Sequence, residues 1–174
     1  MGAASNAGTT ATAVALARAL SRNARVMLVD LSLDRPGLAS ITADPGAPGI
    51  ADLARGTASF GQVITRDRHS RVQVISAGRV GPDAPLVYRS DRLAIGIDAL
   101  SQTYDHVIID AGAVQSIVTD RLARFAPCAV LVSGEGGNVD AAYDQLSAGG
   151  FTDVAVFTGR APALDADSMR GVAA

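Results

Sequence analysis

Short apolar runs rich in β-branched residues alternate along this chain with longer stretches whose apolar positions recur at helical period. Arg25–Asp30 (RVMLVD), Val72–Ala77 (VQVISA), His106–Asp110 (HVIID), Cys128–Ser133 (CAVLVS) and Val154–Thr158 (VAVFT) are predicted strands. They are nearly continuous in apolar residues, which predicts burial on both faces, as in a parallel sheet. Between them, Thr9–Ser21 sets Ala13, Leu16, Ala17 and Leu20 on one helical face, and Leu86–Tyr104 does the same with Leu93, Ile97 and Leu100. Ser116–Phe125 and Asn138–Ala148 complete the alternation, with Asn138 as N-cap and Gly149 as the stop. The Pro- and Gly-rich stretch 44–61 carries a short amphipathic run, Ile50–Arg55, and reads as a surface excursion. The whole predicts an α/β domain over residues 1–159, its mostly parallel sheet flanked by helices on both faces, with 160–174 as a weakly patterned tail expected to be disordered.

Composition narrows this picture. Of 174 residues 48% are hydrophobic and 18% charged, ample for a buried core. The net charge of −2 gives no drive toward a phosphate backbone, so nucleic acid is not an expected partner. The single cysteine, Cys128, excludes an internal disulfide, and with His69 and His106 it forms no metal-ligand spacing. No apolar run reaches the roughly 20 residues that span a bilayer, so the chain as it stands is expected to be soluble. All 15 basic residues are arginine; there is no lysine.

The candidate chemistry lies at three places. Gly8-Thr9-Thr10 opens a predicted helix, where unpaired N–H groups and the helix dipole favour an anion; a plain glycine turn capped by Asn6 or Thr9 fits the same residues. Asp30 and Asp110 each end a predicted strand. In an open parallel sheet such ends converge on one crevice, bringing a hydroxyl and two carboxylates to a phosphate-sized nest, the ligands that Mg²⁺ and a nucleotide use. Either aspartate could instead cap the following helix. A loop of this kind normally follows a strand, yet only Met1 precedes Gly2, so either the chain is cut there, the favoured reading, or a central strand has been lost.

The succession GAASNAGTTATAVALARAL, RVMLVDLSLDRPGL, GIADLARGTASF, VQVISAGRVGPDAPLVYRSDRL and YDHVIIDAGAV resembles, over nearly the whole chain, the cytoplasmic domain of the bacterial tyrosine kinases of capsule and exopolysaccharide synthesis. These stand with the partitioning and septum-positioning ATPases among the P-loop NTPases. The resemblance implies a Walker A loop before the first helix, with Gly8 and Thr10 at its last glycine and its Mg²⁺-binding hydroxyl. It places Asp30 at the first acid of an additional Walker aspartate motif and Asp110 at Walker B, and so implies ATP or ADP with Mg²⁺ held by Thr10, Asp30 and Asp110. It also implies a membrane polysaccharide co-polymerase or its transmembrane segment as partner, a homo-oligomer, and a place at the cytoplasmic face of the bacterial membrane, reached through that partner or an upstream segment.

The departures fall on the chemistry. Thr9 stands where the family has the Walker lysine, and a neutral hydroxyl cannot supply the charge that cradles β- and γ-phosphates. Ser32 replaces the second acid of the Asp-x-Asp motif, and Asp34 replaces an arginine, leaving Arg35 as the nearby cation. Ala-Gly-Ala follows Asp110 in place of Thr-Pro-Pro. The C-terminal tyrosine cluster is missing: Tyr88, Tyr104 and Tyr143 fall in or at predicted helices and read as packing residues. Weak or absent turnover and a regulatory or structural role follow. The alternative is an active autokinase or ATPase using a non-standard loop with Arg35, or a partner's arginine, on the phosphates. Outside these motifs, TRDRHSR reads as a solvated loop, Glu135 as a surface turn and Cys128 as a buried, inert thiol.

Overall fold

The computed structural model describes residues 1–4, 7–114, 116–134 and 136–159. Its elements run α1 (Thr9–Leu20), β1 (Val26–Asp30), a 3₁₀ turn (Leu38–Ile41), α2 (Ile50–Arg55), α3 (Phe60–Val63), β2 (Thr65–Arg66), β3 (Gln73–Ile75), α4 (Ala84–Val87), α5 (Asp91–Thr103), β4 (His106–Asp110), α6 (Ser116–Phe125), β5 (Cys128–Val132), α7 (Val139–Ala148) and β6 (Asp153–Phe157). Asn138 caps α7 as expected, its Oδ1 accepting from the Ala141 N–H at 3.0 Å. The tail 160–174, Asn6 and Glu135 lie outside the described residues.

The strands form two pieces, a four-stranded sheet ordered β2-β3-β1-β4 and a pair β5-β6. All pairings are parallel except the β2–β3 hairpin. β1 is the centre. Successive side chains on a strand point to opposite faces, and here Met27 and Val29 join a core with Ile50, Leu93 and Ile97, while Val26 and Leu28 join another with Ala13, Val14, Ala17 and Leu38. Helices therefore cover both faces of this sheet.

Several sequence expectations need correction. Burial on both faces holds along the whole of β1 but not on β5 or β6, where Val130, Val156 and Phe157 are exposed. The run 50–55 is not a surface excursion: α2 is buried from Ile50 to Ala54, because its N–H groups at Ile50 and Ala51 dock on the Ser76 and Ala77 carbonyls and its far side meets α5. The single helix 86–104 is two, broken at Ser90, whose extended backbone turns the chain and whose Oγ donates to the Ala54 carbonyl. TRDRHSR is a hairpin with a buried turn residue, Asp67, which takes two hydrogen bonds from the Arg18 guanidinium at 2.8 and 2.9 Å. Cys128 is exposed, since the edge of β5 that bears it has no neighbouring strand among the described residues. Tyr143 is not a packing residue; it is 43% exposed on α7.

Candidate functional site

The loop into α1 turns at Gly8, whose φ of 76° lies in the left-handed region open to glycine. No side chain among the described residues caps the helix, and its first carbonyl contact is Thr12 N–H to Gly8 O at 2.9 Å. The opening N–H groups of α1 thus stay available to an anion. Thr9 bends back toward the chain start: a β-carbon at Gly2 would fall 2.6 Å from Thr9 Oγ1. Thr10 points into the crevice and donates its hydroxyl to Asp110 Oδ2 at 2.6 Å.

Asp30 and Asp110 are register partners at the carboxyl ends of β1 and β4, so the sheet brings the two predicted acids side by side at the opening of α1. Both are fully buried. Asp30 Oδ1 accepts from Ser32 N–H at 3.1 Å, and Oδ2 accepts from Gly37 and Leu38 N–H, each at 3.0 Å. Burial pushes the Asp30 carboxyl up to about 6; the Leu38, Ser32 and Gly37 donors pull it down, and the neighbouring Asp110 adds to the rise. Asp110 Oδ1 accepts from Gly112 N–H at 3.2 Å. Ser32 donates its hydroxyl to the Arg35 carbonyl, which folds the segment after Asp30 on itself. Arg35 is exposed.

Asp30 thus anchors the 32–38 loop and caps the opening of the Leu38–Ile41 turn, the capping alternative that the sequence left open beside its place in the site. Tyr88 was missed as a brace: its hydroxyl donates to the Leu31 carbonyl at 2.7 Å, and burial raises the phenol to about 12. No cluster of three or more His, Cys, Asp or Glu side chains suited to a metal occurs among the described residues. A magnesium–nucleotide that brings its own phosphate oxygens would be held here by the Thr10 oxygen, with Asp110 positioning that hydroxyl and Asp30 alongside. These residues do not fit a free divalent ion. What they lack for phosphate is a fixed cation at position 9.

No protein-family model matches the sequence, and no curated protein matches it significantly. Solved structures do match. The chimerical protein CapA2B2 aligns at 22% identity over 90% of this chain and 73% of its own, with a TM-score of 0.81. The kinase domain of the Escherichia coli tyrosine kinase ETK aligns at 20% identity over 95% and 69%, also at 0.81. The septum site-determining protein MinD of Pyrococcus horikoshii, solved with Mg-ADP, aligns at 20% identity over 88% and 64%, at 0.67. Among the described residues no helix is long and apolar enough to cross a membrane. At such identities the likeness speaks for architecture: the chain has the α/β fold of the bacterial tyrosine-kinase domains and their P-loop NTPase relatives.

Proposed function

We propose that this chain is a kinase-like P-loop domain that does not turn over ATP and serves exopolysaccharide or capsule synthesis as a regulatory or structural module. In this reading it assembles as a homo-oligomer with a membrane polysaccharide co-polymerase at the cytoplasmic face. The observation that carries the reading is the opening of α1, where the neutral Thr9, turned toward Gly2, occupies the place of the phosphate-binding cation in a chain without lysine. A missing charged hydrogen bond to phosphate weakens binding by about 1.5–3 kcal/mol, roughly ten- to a hundredfold. Of the three tyrosines, Tyr88 and Tyr104 spend their hydroxyls on Leu31 O and Gln73, and Tyr143 is the exposed one.

Thr10, Asp110 and Asp30 support weak binding of Mg-ADP or Mg-ATP without turnover. Titration calorimetry with both nucleotides, beside assays of phosphate release and autophosphorylation, tests this. The unmodified protein is expected to release no phosphate, and Thr9→Lys is expected to tighten nucleotide binding at least tenfold. Turnover within about 1–100 s⁻¹, typical of kinases, and abolished by Asp110→Asn, would establish instead an active enzyme that uses Arg35 or a partner's arginine.

A further inference from the structure

The amino ends of the strands, opposite Asp30 and Asp110, hold a depression of their own. It measures about 490 Å³ and lies where Val26 begins β1, Gln73 begins β3 and Asp105 precedes β4. Ser21 and Val26 are buried and Tyr104 is half-buried, so these form its floor, while Arg22, Asn23, Arg25 and Arg71 are exposed and stand at its rim. Three guanidiniums thus face a single lining carboxylate, Asp105, in a chain whose net charge is −2.

That carboxylate is already spent. Asp105 Oδ2 accepts from the Arg25 backbone N–H at 2.8 Å and Oδ1 from its guanidinium at 3.0 Å, which fixes Arg25 at the rim. The side chains of Arg22 and Arg71 have no hydrogen-bond or ion-pair partner among the described residues. Helices α1 and α5 both end here, and cations often settle the carbonyls of a last turn. In α1 that task is filled without them: the Ala17, Ala19 and Leu20 carbonyls accept from the Ser21, Arg22 and Ala24 N–H groups, and the Arg18 carbonyl from the Ser21 hydroxyl. In α5 the Leu100 carbonyl accepts from the Tyr104 N–H. The backbone that carries the two cations is nonetheless held. Leu20 O closes the turn at Arg22, and Ser70, donating to Asp67 Oδ2 at 2.6 Å and accepting from Val72 N–H at 3.2 Å, brackets Arg71. The Tyr104 hydroxyl, bonded to Gln73 Oε1, braces the floor.

We propose that this depression is a phosphate site, taking the phosphate of a small phosphorylated molecule between Arg22 and Arg71 with Arg25 as a third contact. A planar guanidinium grips two phosphate oxygens at once, and two cations in excess match a dianion. The volume falls within the roughly 300–1,000 Å³ of small-molecule sites, so room remains beside the phosphate for an organic body over Tyr104. The site is separate from the nucleotide reading, since the length of β1 lies between it and the Gly8 turn.

The test titrates the protein with inorganic pyrophosphate, without Mg²⁺ and at low ionic strength, and follows backbone amide shifts by NMR. Saturable shifts are expected at residues 22–25, 71–73 and 103–105. Arg22→Gln and Arg71→Gln are each expected to weaken binding about tenfold, the low end for a charge-assisted hydrogen bond, and the spectra themselves report that the fold is kept. Arg124→Gln, which removes an exposed charge at the end of α6, is expected to change affinity by less than about twofold. A parallel arm sediments the protein with phosphatidylglycerol vesicles, with phosphatidylcholine as the neutral control. Binding that pyrophosphate displaces assigns the phosphate to a lipid headgroup, and pyrophosphate binding without vesicle binding assigns it to a soluble molecule. No saturable binding, shifts confined to Gly8–Thr10, or an equal loss with Arg124→Gln overturns the proposal.

Discussion

β1 and β5 are five-residue strands of nearly the same apolar character, VMLVD and CAVLV, yet their fates differ. Every residue of β1 is buried, whereas β5 leaves Cys128 and Val130 exposed. The difference lies in their neighbours. β1 pairs on both sides, with β3 and β4, and has helices on both faces; β5 pairs fully only with β6 and meets Met1–Ala3 at its carboxyl end alone. An apolar run therefore states what a strand can bury, and the partners decide how much of it is buried.

The sharpest way to break this comparison is to truncate one leucine and one valine. Leu28→Ala in β1 is expected to lose about 3–5 kcal/mol of stability through lost transfer energy and the cavity left behind, and Val130→Ala in β5 less than about 1 kcal/mol, both measured by urea unfolding. Equal losses would mean that the gap between β4 and β5 is closed in solution.

Next in size is the ion pair that secures the complete half. Asp67 is buried and bonded to Arg18, and its carboxyl is held below the usual range: against the cost of burial, the Arg18 and Ser70 hydrogen bonds prevail. Asp67→Asn removes the carboxylate charge that the Arg18 guanidinium faces and is expected to destabilise the protein by about 3 kcal/mol. A matching exposed pair, Arg25–Asp105 at 3.0 Å, should yield less than about 1 kcal/mol when broken by Asp105→Asn.

The last effect is a pH dependence. Asp30 has a folded value near 6, above its ordinary 3.8, so its ionisation is disfavoured in the folded state. The penalty is absent below about pH 4 and complete above about pH 6, so Asp30 makes stability fall as pH rises through that window. Asn at this position cannot ionise, so Asp30→Asn should be more destabilising at pH 4 than at pH 7 in parallel urea titrations. The reverse order would show that the three backbone donors outweigh burial.

Much of this molecule was legible in the sequence because the relevant signals are local. The strand ends at Asp30 and Asp110, the helix opening at Gly8, and the Asn138 cap each depend on a few consecutive residues, and the convergence of parallel strand ends on one crevice brings the two aspartates side by side. What escaped was decided at a distance. Nothing in IADLAR distinguishes an exposed helix from one pinned beneath Ser76 and Ala77. A two-residue strand such as Thr65–Arg66 carries no periodicity to detect. Cys128 and Leu16 look like core residues until the gap beside them is seen. In the site, the capping alternative for Asp30 was readable and holds, since it binds the backbone amides of the next turn, whereas the bond between Thr10 and Asp110 was not.

Helix α1 is fastened at both ends, by Thr10 to Asp110 in its first turn and by Arg18 to Asp67 in its last. Eight residues of helix separate the fastenings, about 12 Å at the α-helical rise. A short rod pinned at two points moves as one body, so a pull on its first turn is delivered to the hairpin at Asp67 instead of being absorbed along the way. An anion at Gly8, as proposed, would therefore act on a lever whose far arm lies at the β2 margin of the sheet.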